Sequence, residues 1–244
     1  MFNWFVNFVA PLFIVTSPIT SYADQIRSIH INKCSQGFSL DTPLIMLVAS
    51  ILRSFYWLGA RYETSLLIQS LIMIVIQLLL LKVALDHRPP HTHPASPLSS
   101  TPPPPLRPYH FWQWGPQKPY WDFLLLFTLG TFTLQLLLGS SATYTALQGF
   151  LALGVEATLP IPQVLQNYRA KSCNGFRFSV LASWILGDIM KQVFFFSAEK
   201  ISLQFKLCAG FQMLMDLVLG WQFWRYGNGR IEEKAVEKLE MGRF

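Results

Sequence analysis

Leu159-Pro160-Ile161-Pro162-Gln163-Val164-Leu165-Gln166-Asn167-Tyr168, followed by Lys171-Ser172-Cys173-Asn174-Gly175-Phe176, is the stretch on which the fold turns. Proline lacks an N–H and cannot close the helical bond one turn back, so Pro160 and Pro162 at the end of an apolar run predict a hinge. Sliding the sequence over itself by 138 positions lays Asp24–Ser39 on Pro162–Arg177. Gln25, Lys33, Gly37 and Phe38 then fall on Gln163, Lys171, Gly175 and Phe176, and further on Arg53 falls on Lys191. Each copy joins the first two of three successive apolar runs, which predicts two related three-helix units. The first copy has Asp24-Gln25 where the second has Pro162-Gln163, so its hinge would have to come from Pro18, inside the preceding run.

Outward from these copies the chain is apolar. Of 244 residues, 52% are hydrophobic, 20 are Phe, 8 are Trp and only 13% are charged, with a mean hydropathy of +0.34. Soluble domains carry about 25% charged residues, so this chain has too little polar surface to cover a globule in water. The composition predicts a membrane protein and excludes collagen-like, disordered and disulfide-scaffold chains. Cys34, Cys173 and Cys208 are too few and scattered for a disulfide framework. The first 26 residues hold no Lys or Arg, so the run from Met1 lacks the basic start of a cleavable signal and reads as a retained span.

A helix crossing about 30 Å of hydrocarbon needs around 20 apolar residues. That length picks out seven runs: Phe2–Tyr22, Thr42–Leu58, Thr64–Leu85, Tyr120–Leu138, Thr145–Val164, Ser179–Ser197 and Leu203–Trp224. Asp41-Thr42-Pro43 offers the second a capping side chain and a first-turn proline. The expected fold is an all-α polytopic membrane protein of seven transmembrane helices, two parallel three-helix repeats joined by a linking fourth (3+1+3). Three is odd, so the extra crossing lets the second repeat take the orientation of the first. The corresponding regions are 1–87, a linker 88–118, the linking helix 119–141, the second repeat 142–226 and a tail 227–244.

Between Arg88 and Pro108 there are nine prolines in 21 residues. Such a stretch reads as an extended, polyproline-like spacer in water, with docking of an SH3-like domain the lesser reading. His87, His91 and His93 on such a loop lack the fixed geometry of a metal site, and no metal or cofactor is expected. With a luminal N-terminus, fourteen of the nineteen Lys and Arg flank spans on the cytosolic side, against Arg61 and Lys200 outside. The linker and C-terminal tail are then cytosolic, with a short charged helix expected over Ile231–Met241. The charge of +6 is explained by this asymmetry and by anionic leaflets, without nucleic acid.

The residues Leu159–Tyr168 and Lys171–Phe176 resemble the PQ-loop motif of the cystinosin and SWEET superfamily, and the two copies extend the resemblance over nearly the whole chain. Within it the linker and first repeat are most similar to the subgroup of PQ-loop repeat-containing protein 1 and its fungal relatives. That resemblance implies Golgi and endosomal membranes, endosomal trafficking, and phospholipid scrambling that opposes aminophospholipid flippases.

Arg53, Glu156, Asp188, Lys191 and Asp216 fall inside apolar runs, with Asp24 and Lys206 nearer their ends. A charge at mid-membrane costs about 2.5–3.5 kcal/mol on insertion scales, so these must pair or line a wet path. Asp188 and Lys191, three apart, share a helix face. Two readings stand. In one the charges are internal ion pairs; in the other Gln25, Arg53, Glu156, Gln163, Asn167, Asp188 and Lys191 line a substrate path in which the repeat-related Arg53 and Lys191 attract a headgroup phosphate. Phe194-Phe195-Phe196 and Trp221, Phe223, Trp224 and Tyr226 read as lipid contacts and interfacial anchors. No phosphate-binding Gly-rich loop, nucleophile elbow or His-Glu-x-x-His occurs, so no chemical catalysis is expected. The functions left open are an ATP-independent phospholipid scramblase, with phospholipids and the bilayer as partners and a functional link to flippases; a proton-coupled exporter of amino acids or another small solute; and a non-transporting trafficking adaptor. A groove open to lipid favours the first, and a closed central cavity with a titrating carboxylate the second.

Overall fold

Backbone amides find no water inside hydrocarbon, so a chain this apolar satisfies them within helices. The computed structural model describes residues 10–33, 40–88, 111–171, 173, 178–197, 201 and 203–227, and every regular element among them is α-helical. In chain order these are α1 (Ala10–Asn32), α2 (Asp41–Ala60), α3 (Thr64–Asp86), α4 (Lys118–Leu138), α5 (Ala142–Ala157), α6 (Ile161–Ala170), α7 (Phe178–Ser197) and α8 (Leu203–Gly227). By length and composition α2, α3, α4 and α8 are each able to cross a membrane. The run expected over Thr145–Val164 is two helices, α5 and α6, separated at Thr158–Pro160. α1 continues ten residues past the expected end at Tyr22. Most of the Pro-rich linker, the C-terminal tail, and the Cys34–Ser39 and Asn174–Arg177 parts of the repeated motif lie outside the described residues.

The helices pack in one order twice. α3 lies between α1 and α2, and α8 lies between the α5–α6 pair and α7. Across the two groups α1 meets α7 and α2 meets α5, so the first helix of each group contacts the second helix of the other. α4 sits outside, against α2, with Leu125, Leu126, Leu129, Leu136 and Leu137 exposed. Apolar side chains thus face outward while Arg53, Gln69, Ser70, Gln77, Asp188 and Asp216 are buried, an inside-out polarity suited to lipid.

The α2–α5 seam is close because it lacks side chains. A Cβ at Gly59 would meet Thr145, and one at Gly149 would meet the ring of Tyr56. Beside it a core joins Ile14, Tyr56, Leu66, Leu153, Phe194, Phe195 and Phe205 from six helices. Phe194 and Phe195 are therefore interior, and only Phe196, 69% exposed, keeps the expected outward position. Trp221 and Trp224 are exposed as expected.

At the end of α3 the segment 111–117, expected within the linker, is folded into an aromatic clasp. Trp112 is buried and donates from Nε1 to the Leu40 carbonyl at 2.7 Å. Arg88 donates to the Trp114 carbonyl at 2.7 Å and to the Tyr120 hydroxyl at 2.9 Å. Trp112 has a φ of 60°, a backbone that a bulky residue holds only where tertiary contacts impose it. The N-cap position of α2 is Leu40, without a side-chain cap bond, and Asp41 lies in the first turn, where the helix dipole favours an acid.

Candidate functional site: a buried charge network beside a polar cavity

The site starts with the helix break. Pro160 cannot donate to the Glu156 carbonyl nor Pro162 to that of Thr158. Those two carbonyls accept instead from Leu159 N at 3.0 Å and Ile161 N at 3.0 Å. α5 therefore ends one residue after Glu156, and Pro162 falls in the first turn of α6, where a missing N–H leaves nothing unmade. Pro18 lies within the continuous α1, and the Ile14 carbonyl that it leaves free accepts from Ser17 Oγ at 2.9 Å. Pro18 and Glu156 are equivalent positions of the 138-residue offset, so the departure from plain helical bonding in the first repeat lies about one turn before that in the second.

Glu156 is the centre of the charges. One carboxylate oxygen accepts from Arg53 Nη1, and the other lies 3.7 Å from Lys191 Nζ. Each guanidinium nitrogen of Arg53 has a partner, since Nε donates to Ser70 Oγ at 2.6 Å and Nη2 to Gln69 Oε1 at 3.2 Å. Ser70 in turn donates to the Leu66 carbonyl at 2.8 Å. Lys191 reaches Asp188 Oδ1 at 3.8 Å and Gln212 Oε1 at 3.4 Å. Tyr62, in the turn outside α2 and α3, donates to the Arg53 carbonyl at 2.8 Å. Burial pushes its phenol up to about 12, which keeps it a protonated donor at physiological pH.

Two further carboxylate groups complete the set. Asp188 and Asp216 are 2% and 0% exposed and lie side by side, close enough for one carboxyl to donate a hydrogen bond to the other. Arg53, Glu156, Asp188 and Lys191 of the expected path are thus brought together. Gln25, Gln163 and Asn167 are not. Gln25 is half-buried on α1 and does not line the cavity described below. Gln163 donates to Asn167 Oδ1 at 2.8 Å on α6, where Gln222 of α8 donates to the Val164 carbonyl at 3.1 Å. The Gln163–Asn167 bond thus stays within α6, and Gln222 joins α6 to α8. His87, in a separate region, holds its Nδ1 2.9 Å from the Val83 carbonyl with its ring edge-on to His30, while His91 and His93 lie outside the described residues.

A cavity of about 310 Å³ borders the network. Its polar lining is Ser17, Thr20 and Ser21 of α1, Gln69, Glu156, Ser183, Asp188, Lys191 and Gln212; Phe13, Met46, Leu159, Trp184 and Leu186 supply apolar walls. It lies between α1 and α7 and reaches the protein surface, because Thr20, Ser183 and Leu186 are exposed. On the same two helices Leu12, Ile19 and Ile189 are exposed as well. Sequence reasoning missed Gln69, Ser70, Gln212 and Trp184, whose only signal was an uncharged polar or aromatic residue within an apolar run.

A family model, the PQ loop repeat, matches residues 6–66 and 146–203. "Scramblase ANY1" of Saccharomyces cerevisiae (strain ATCC 204508 / S288c) is 32% identical over a 287-residue alignment that covers 91% of this chain and 71% of the yeast protein.

Proposed function

Because the chain belongs to the PQ-loop repeat family, we propose that it is an ATP-independent phospholipid scramblase, two three-helix repeats joined by α4, with headgroups passing along the groove between α1 and α7 while acyl chains stay in lipid. The observation that carries this reading is that a polar cavity between α1 and α7 reaches the protein surface, on two helices whose exposed residues include Leu12, Ile19, Leu186 and Ile189. At about 310 Å³ it stands at the low end of ligand sites, which run about 300–1,000 Å³. It accommodates a headgroup and not a whole lipid. The yeast relative named a scramblase supports the same conclusion. By family resemblance the membranes are those of the Golgi and endosomes, where lipid exchange would oppose flippases.

In reconstituted liposomes the purified chain should render acyl-labelled fluorescent lipid of the inner leaflet accessible to dithionite without ATP. Separate α5 and α6 rods joined at Thr158–Pro160 serve as the moving part, so Pro160→Ala combined with Pro162→Ala, which supplies both missing donors and allows the helix to continue, should slow exchange severalfold while leaving thermal stability intact. Protein-containing vesicles that expose no more labelled lipid than empty ones would overturn the scramblase reading. In the proposed orientation the N-terminus is luminal, and the linker and C-terminus cytosolic. A single cysteine placed at residues 91–106 should therefore react with an impermeant reagent on the cytosolic face, and protection there would reverse the topology.

A further inference from the structure

Close neighbours account for glycine at Gly59 and Gly149, where a side chain would strike Thr145 or Tyr56. Gly187 is different. It belongs to α7 and lines the cavity, yet a Cβ there would find no atom within 4 Å. Gly130 of α4 is equally open, but it is exposed beside exposed Leu129 and Phe132, on an outer face. Gly187 is half-buried and stands in the middle of the cavity wall. At about 100° per residue, Ser183 and Lys191 lie one turn to either side of it, while Trp184 and Asp188 adjoin it around the helix. All four line the same cavity. The wall therefore carries side chains before, after and beside Gly187 and is recessed at it. From the opposite wall α1 contributes Ser17 and Ser21, two short hydroxyl side chains one turn apart. No packing contact requires the recess, and it opens onto the space through which the proposed substrate passes.

We infer that Gly187 is a specificity-determining position: the recess in front of it takes the widest part of the group in transit, and its depth sets the largest headgroup that passes. That the group is a phospholipid headgroup rests on the scramblase reading, whereas the recess stands on the cavity alone. Phosphatidylethanolamine and phosphatidylcholine isolate size from charge, since both heads are zwitterionic and they differ by three methyl groups on one nitrogen. One methylene too many in a shaped pocket already separates ligands by about tenfold or more. A side chain filling the recess should therefore exclude the trimethylated head first.

The test uses the full chain with Gly187→Ala, Gly187→Val and Gly187→Leu. In detergent Gly187→Ala and Gly187→Val should melt with the wild type, because no neighbour is displaced, in contrast to a side chain at Gly149. In vesicles the wild type should exchange acyl-labelled forms of both lipids at comparable rates. Gly187→Val should slow phosphatidylcholine about tenfold while slowing phosphatidylethanolamine no more than about twofold, and Gly187→Leu should slow both. Gly187→Ala should move the ratio in the same direction, and it carries the test if a larger variant does not fold. A separate readout needs no exchange: glycerophosphocholine should raise the melting temperature of the wild type and not that of Gly187→Val. If Gly187→Val exchanges both lipids as the wild type does, or slows both equally, the inference is overturned and the scramblase stands. A lower melting temperature for Gly187→Ala also overturns it, since the space would then be filled. No exchange by the wild type, together with a glycerophosphocholine shift that Gly187→Val abolishes, overturns the scramblase and keeps the recess as a site for a soluble group.

Discussion

Glu156→Gln is expected to destabilise the protein by about 3–5 kcal/mol, the usual consequence of stranding buried charges by removing their partner. The amide keeps the shape and removes the charge that Arg53 and Lys191 share. Lys191 retains Asp188 at 3.8 Å, whereas Arg53, buried at the α2–α3–α5 junction, keeps only the neutral Gln69 and Ser70. The purified variant should melt well below the wild type, and Arg53→Gln added to it should restore most of the loss because no unpaired cation then remains. An unchanged melting temperature in the single variant, or no recovery in the double one, would remove Glu156 from the architecture and return Arg53 to the substrate path.

Gly149→Leu is the second large effect, and it acts through space alone. A Cβ at this position would lie 2.6 Å from both Cε2 and Cζ of Tyr56 and 3.0 Å from Gln204 Oε1. The Tyr56 ring has nowhere to withdraw, being stacked on Tyr62 at 5.3 Å and against Phe205 at 6.4 Å. Overpacking a tight interior costs about 1–3 kcal/mol and more where the neighbour cannot move. Melting temperature should fall in the order Gly149, Gly149→Ala, Gly149→Leu, and Tyr56→Leu should relieve the last. If Gly149→Leu melts with the wild type, the α2–α5 contact is looser than the structure has it.

Much of the helix pattern was legible because burial in lipid leaves its mark on one run of sequence at a time. Thr64–Leu85 and Ser179–Ser197 fall within a residue of α3 and α7 for that reason. The offset that aligned Lys171 with Lys33 carries over to the backbone, since both close a helix with a positive φ, 49° and 47°. What one run cannot show is its partner across the bundle. Arg53 and Lys191 read as a phosphate clamp by symmetry, but the residue between them, Glu156, comes from a third helix with no charged counterpart, its repeat equivalent being Pro18. Asp216 was visible as an intramembrane acid, yet its neighbour Asp188 became evident only once α7 and α8 were packed together. The same holds for Phe194 and Phe195, which continue an apolar run yet turn inward onto Phe205.

The aromatic clasp has a consequence for how this chain can be altered. Arg88 and Trp112 grip the two ends of the Pro-rich stretch through Trp114, Tyr120 and Leu40, none of which belongs to residues 89–110. Chain added between those ends leaves every anchoring bond in place and adds only closure entropy, about 0.6 kcal/mol for each doubling of the loop. Length is therefore nearly free to drift there, whereas a single deletion reaching Trp112 would loosen α2 and α4 together. The same asymmetry makes the stretch between the anchors the natural insertion point for a genetically encoded reporter.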